Sequence, residues 1–176
     1  MTAFREPYST AEGSLVMKLK TAMMAAGAVL ALSLVSTAPA AAGPIPNGGV
    51  TVEDMVRFLQ SMGYKAEVKS GSTGRYIASA TGGVTFDVYF YDCVSGRCAS
   101  VQFEAGFDLT NGITTAKINE WNRDKRYMKA YVDSGADPHV SMDANTSPAR
   151  TYEGLADDFG VWTGTLPAFA QFIGWN

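Results

Sequence analysis

Alternation of apolar and polar side chains in the middle of the chain constrains everything around it. Val84, Phe86, Val88 and Phe90 alternate with Thr85, Asp87, Tyr89 and Tyr91. Further on, Val101, Phe103, Ala105 and Phe107 alternate with Gln102, Glu104 and Asp108. Successive side chains on a strand point to opposite faces, so each run is a strand with one apolar and one polar side. The short connection between them makes the two strands antiparallel neighbours. Their apolar side must be covered, and the flanking segments carry the spacing of helices that could cover it.

On the N-terminal side, Thr51 is a good helix cap with Asp54 three residues on. Val52, Met55, Val56, Leu59 and Met62 then form one helical face, and Gly63 ends it. Ala66–Lys69 reads as a short strand, Gly71–Gly74 as a turn, Arg75–Ala80 as a strand and Thr81–Gly83 as a turn. On the C-terminal side, Thr114 or Thr115 caps a helix over Ala116–Asp124. Tyr127–Val132 and His139–Asp143 read as a hairpin around the turn Asp133–Pro138. Ser147-Pro148 supplies a cap followed by Pro at the first helical position. Tyr152, Leu155, Phe159, Trp162, Leu166, Phe169 and Phe172 or Ile173 mark a long apolar helix face. Gly160 and Gly164 weaken that helix, and Pro167 removes a donor and clashes one turn back, so a break is expected near Thr163–Thr165. The expected fold is α+β, an antiparallel sheet with helices packed on it, in the order helix, four-strand meander, helix, hairpin, helix.

The N-terminal 42 residues read as an address rather than as structure. Lys18 and Lys20 precede an uncharged run, Ala22–Val35, and Ala38–Ala42 supplies small residues before Gly43-Pro44. A positive segment, a short apolar segment and an A-x-A site make a secretory signal. The apolar run is too short for a spanning helix, which needs about 20 residues; a short membrane anchor is the alternative. The absence of a following Cys argues against a lipid anchor. Met17 opens a better signal than Met1, so translation is expected to start there, with cleavage after Ala42. Residues 43–50 then form a short Pro/Gly leader, residues 51–176 a single domain, and the product is periplasmic or secreted, with no stable membrane span once the signal is gone. The chain of 176 residues carries a formal net charge of −3. Loss of Arg5, Lys18 and Lys20 with Glu6 and Glu12 leaves it more acidic still, which speaks against a nucleic-acid partner.

Few residues have the chemistry of a site. Cys93 and Cys98 close a four-residue loop at facing strand ends. In an oxidising compartment such a pair usually bridges, and strand partners come within reach of the usual Cα separation of about 5.5 Å. A structural staple is the main reading. A redox-active pair is the alternative, although the spacing is not that of C-x-x-C oxidoreductases. A metal site of Cys93, Cys98 and the lone His139 lacks a fourth soft ligand. His139, Ser141 and Asp143 lie down one strand face, which does not make a triad. No G-x-S-x-G elbow, G-x-G-x-x-G fingerprint or P-loop occurs. No catalytic residue, metal or cofactor is therefore assigned. Lys117, Arg123, Lys125, Arg126 and Lys129 cluster among aromatics, as on a single-strand-binding surface, but Glu120 and Asp124 dilute them to a solvated helix end. Tyr89, Tyr91, Tyr127 and Tyr131 serve sheet packing or a partner surface.

The order of these segments resembles that of YbjN-domain proteins, bacterial sensory transduction regulators. The resemblance rests on Thr85–Cys98, Ser100–Phe107, the segment Ile118-Asn119-Glu120-Trp121-Asn122 and the strand Arg126–Asp133. It covers about Thr51–Ile173 and implies a fold like the type III secretion chaperones and a regulatory, partner-binding role; the family has no established catalytic activity to carry over. The export signal and the Gly164/Pro167 pair in the last helix depart from the pattern. Asn119 and Asn122, neighbours on their helix, either satisfy backbone groups at the helix end or form a polar ligand patch; Trp121 anchors the helix to the sheet. The expectation is an exported, non-catalytic module that binds a protein partner in the cell envelope through Asn119, Trp121, Asn122, Tyr127 and Tyr131. An envelope thiol sensor using Cys93 and Cys98 is the alternative, and a hydrolase built on His139 a third.

Overall fold

A computed structural model describes residues 43–175. The expected signal, its start at Met17 and its cleavage site at Ala42 lie outside those residues. The elements run α1 (Val52–Ser61), β1 (Glu67–Gly71), β2 (Gly74–Thr81), β3 (Val84–Val94), β4 (Arg97–Gly106), α2 (Thr115–Asp124), β5 (Lys129–Val132), β6 (Pro138–Asn145) and α3 (Tyr152–Ile173). All six strands form one sheet in the order β1-β2-β3-β4-β6-β5, antiparallel at every pairing. The expected α+β order of helix, meander, helix, hairpin and helix is what the chain adopts. After β4, α2 carries the chain to the sheet edge for β5, and β6 returns into the gap.

Helix boundaries follow their caps. Thr51 Oγ1 accepts the Asp54 N–H while the Asp54 carboxylate accepts the Thr51 N–H, a capping box. At its other end, the Tyr64 N–H reaches Leu59 O and the Gly63 N–H reaches Gln60 O, with Gly63 at φ +85°. That is a Schellman stop. Thr114 caps α2. The expected cap at Ser147-Pro148 is not used: that peptide is cis, Ala149 turns the chain at φ +52°, and Thr151 caps α3 instead by accepting the Gly154 N–H. Nor does α3 break at Thr163–Thr165; it runs through Pro167. Leu155, Phe159, Trp162, Leu166 and Phe169 are fully buried along one face, and Pro167 lies on the exposed side, where water can take the carbonyl it leaves free. Packing of the apolar face outweighs the local penalty.

Two strand boundaries also differ from expectation. Tyr127 sits in a turn at φ +73°, outside the extended backbone region, and β5 begins only at Lys129. The β3–β4 hairpin is tighter than expected: Ser95 and Gly96, at φ +51° and +80°, form a two-residue turn whose twist matches the strands.

The core lies between the apolar sheet face and the three helices. Phe86 and Phe103 meet Phe159 and Trp162 of α3 at ring separations of 5.4–6.1 Å. Phe58 of α1 packs edge-on to Phe159. Trp121 of α2 packs against Phe169 and Phe172 of α3, so this ring ties α2 to α3.

Residues 43–50, expected as a leader, are part of the packed unit. Ile45 and Val50 belong to the core. Pro44 bridges to Thr151 and Val50 to Cys98. Gly49, at φ +95°, passes so close to β4 that a Cβ there would stand 1.9 Å from the Cys98 carbonyl oxygen; only glycine fits. Arg97 ties this segment down, donating to Gly49 O at 2.8 Å and pairing with Asp54 at 3.3 Å. Among the described residues no helix is long and apolar enough to cross a membrane.

Candidate functional site

The polar face of the sheet has no helix over it among the described residues. Its side chains are the alternate residues of each strand, and the register sets them in rows. One row crosses all six strands: Glu67, Ala78, Asp87, Glu104, Ser141 and Lys129. Glu67 at the β1 edge is paired with Lys65 and Lys69. Asp87 and Glu104 stand directly opposite each other on β3 and β4. Like charges at such positions repel. Burial holds the Asp87 carboxyl above its usual range, and the Glu104 charge adds to this, while a hydrogen bond from Tyr89 works against it.

Tyrosines frame this pair. Tyr89 donates to Asp87 Oδ2 at 3.2 Å, and its ring lies 5.5 Å from that of Tyr76, tilted by 31°. Tyr131 donates to Glu104 Oε1 at 2.6 Å and lies 5.0 Å from the His139 ring, nearly parallel to it. Burial and then the adjacent carboxylates push both phenols up, Tyr89 to about 12. His139 Nδ1 lies 3.4 Å from Glu104 and Nε2 lies 3.9 Å from Asp133. In the next row, Tyr89, Gln102 and Asp143, Gln102 donates to Asp143 at 2.7 Å and accepts from Tyr91 of the row beyond. Ser141 is 2% exposed, yet its Oγ, like His139 Nδ1, has no hydrogen-bond partner.

The residues expected to form one surface are divided between two places. Tyr131 is on the open sheet face. Trp121 and Tyr127 line a groove of about 400 Å³ between the end of α2 and Gly164, Thr165 and Ala168 of α3. There Lys125 and Arg126 stack over the two rings at 5.8 and 4.8 Å. Trp121 is fully buried, so it offers a partner little surface. Asn122 is not a helix-end cap: its amide takes the N–H and C=O of Ala130, both at 2.9 Å, and clamps α2 to β5. Asn119 is exposed and does not share that bond. The basic cluster is partly neutralised, Lys117 by Glu120 and Arg123 by Asp124.

Cys93 and Cys98 form a disulfide across the hairpin tip, as a register pair with Cα atoms 3.9 Å apart. His139 faces Gly106 at the opposite end of β4, so the three soft ligands are not brought together. The hydrolase reading needs a nucleophile at the imidazole, and the groups facing it are Glu104 and Asp133.

Asp87 and Glu104 were missed as a pair, although a signal existed. Antiparallel partners recede equally from a fixed rung. Asp87 lies six residues before Cys93 and Glu104 six after Cys98, so the disulfide fixes them face to face. Ser141 could not be placed this way, because the β4–β6 pairing has no such marker.

The family model YbjN, described as "Putative bacterial sensory transduction regulator", matches residues 51–174. No curated protein matches the chain. Among solved structures, the chain is similar to the Yersinia pestis type III secretion chaperone SycH, determined in complex with a stable fragment of YscM2. The identity is 11% and the TM-score 0.44, over 65% of this chain and 96% of that one.

Proposed function

Because the chain belongs to the YbjN family, we propose that it is a non-catalytic module that binds and regulates a protein partner, and that it works outside the cytoplasm. The observation that carries the binding reading is the uncovered sheet face. A six-stranded sheet under three helices leaves one side to solvent, and here that side holds Tyr76, Tyr89, Tyr91 and Tyr131 among carboxylates. Tyrosine gives contact area with little loss of side-chain freedom, which is why it is enriched where proteins meet. Export is supported by the order of basic, apolar and small residues over 18–42 and by a cysteine pair suited to an oxidising compartment.

The test is a photoreactive side chain placed at Tyr91 in the full chain, irradiated in intact cells. A specific protein adduct from the extracytoplasmic fraction, absent when the probe replaces Asp157 on α3, is the expected result. Adducts at neither position, or a chain retained in the cytoplasm with residues 18–42 intact, would overturn it.

One observation favours a second reading. Cys93 is exposed at the hairpin tip, and the Cys98 backbone holds Val50 through two hydrogen bonds. A thiol sensor could loosen the 43–50 segment on reduction. An oxidant response unchanged in Cys93→Ala would remove this reading.

A further inference from the structure

We propose that the exported chain begins at Gly43 and that the α-amino group freed there is held by the Glu153 carboxylate at the start of α3, so that removal of the signal closes an ionic clasp on the N-terminal segment. This rests on the export reading above and adds the processing site and what the fold does with the new terminus.

The first observation is where the packed chain starts. Gly43 O accepts the Tyr152 N–H at 2.9 Å, Pro44 bridges to Thr151, and the Ile45 N–H donates to Arg150 O at 2.8 Å. Ile45 is already in the core. A cut after Ala42 spares all of these contacts; a cut one residue later removes the first of them. In the sequence, Ala40-Ala41-Ala42 places small residues at the A-x-A positions immediately before this point. Packing and motif meet at one peptide bond from opposite sides.

The second observation is independent of the motif and lies at the nitrogen itself. The Gly43 N–H donates to Glu153 Oε1 at 2.8 Å. The nitrogen is pinned there, because the carbonyl of the same residue is held by Tyr152. The carboxylate is set in place as well. Its own backbone N–H, then that of Gly43, then the Thr151 hydroxyl hold it below its usual range, and a helix N-terminus favours a negative side chain. Arg150, the nearest cation along the chain, pairs with Asp158 instead.

Hydrolysis changes what this nitrogen can do. Water adds across the Ala42–Gly43 bond: its hydroxyl stays on the Ala42 carbonyl carbon, which leaves as a carboxylate, and its other hydrogen goes to the Gly43 nitrogen. The resulting amine takes a further proton near neutral pH. A single amide donor to an anion becomes an ammonium–carboxylate pair, with charge assisting the hydrogen bond from both sides. A cut after Ala40 would leave the Gly43 nitrogen an amide and put the new charge two residues away from Glu153.

The experiment expresses the full chain in bacteria and purifies the processed product from the extracytoplasmic fraction. N-terminal sequencing and intact mass read its first residue. The rate of α-amine acylation at neutral pH and low ionic strength, followed by mass spectrometry, reads the clasp. The expected product begins at Gly43. Its α-amine acylates at least about threefold faster in Glu153→Gln, because the carboxylate no longer holds the proton on the nitrogen, and added salt narrows the difference. Asp157→Asn, which removes another carboxylate of α3, reacts like the unaltered chain. Both positions are exposed, and circular dichroism checks that both variants fold. An exported chain beginning at any other residue, equal rates with and without the Glu153 carboxylate, or the same acceleration in Asp157→Asn would overturn the proposal. In each of those cases the export reading stands. If no shortened chain leaves the cytoplasm, the export reading fails and takes the clasp with it.

Discussion

Single side chains here work either for the fold or against it, and the two kinds respond oppositely to pH. Burial raises the Asp54 carboxyl, but the Thr51 cap bonds and the charges of Arg57 and Arg97 outweigh it and hold the group below its usual range. Its folded pKa is depressed, so its contribution is present above the unfolded value near 3.9 and fades as pH falls through the folded one. Asp54→Asn should cost about 1 kcal/mol at pH 7, a loss that shrinks in thermal melts carried into the acid range. Asp87 is the reverse case. Its pKa is raised, so the folded state bears a penalty that is absent below the unfolded pKa and fully present above the folded one. Asp87→Asn should therefore stabilise the protein at pH 7 by up to about 1 kcal/mol, with the gain disappearing near pH 3. A loss of stability at pH 7 would mean that Asp87 is part of the scaffold.

Between elements, the hairpin tip and the segment before α1 form one joint. The Cys98 carbonyl meets both the Val50 N–H and the Thr146 hydroxyl, and Gly49 passes against it. Gly49→Ala should cost about 3 kcal/mol or more, since neither backbone can give way; denaturant melts would measure it. Replacing both cysteines by alanine should cost only about 2 kcal/mol, because the bridge closes a very short loop, and the circular dichroism spectrum should be retained. Most elements were legible because periodicity and caps agreed: Thr51 with Asp54, Thr114, and the alternation from Val84 to Phe90. Where the reading failed, tertiary packing overrode a local signal. Pro167 breaks no helix because Leu166 and Phe169 beside it are buried. Ser147 caps nothing because the cis peptide and Ala149 turn the chain before the helix begins. Residues 43–50 looked like a tail because their anchors are a glycine's missing Cβ and the distant Arg97, neither of which has a local pattern.

For the whole molecule, the division of labour runs across the sheet. One side is a core of aromatic rings from the strands and three helices; the other is a face of tyrosines and carboxylates. The sequence showed which residues face outward but not which of them meet, because that depends on register. Tyr131 proved to belong with Glu104 and His139, while Trp121 and Tyr127 line a separate groove, and Asn122 is bound to the backbone of β5. The central claim is that the open face is kept for a partner. The most direct measurement is capture of the cellular partner by the photoprobe at Tyr91 on that face relative to the same probe at Asp157 on α3, with both chains folded to the same melting temperature. The account predicts a specific adduct from Tyr91 and none from Asp157. Equal adduct yields at the two positions, or none at either, would contradict it.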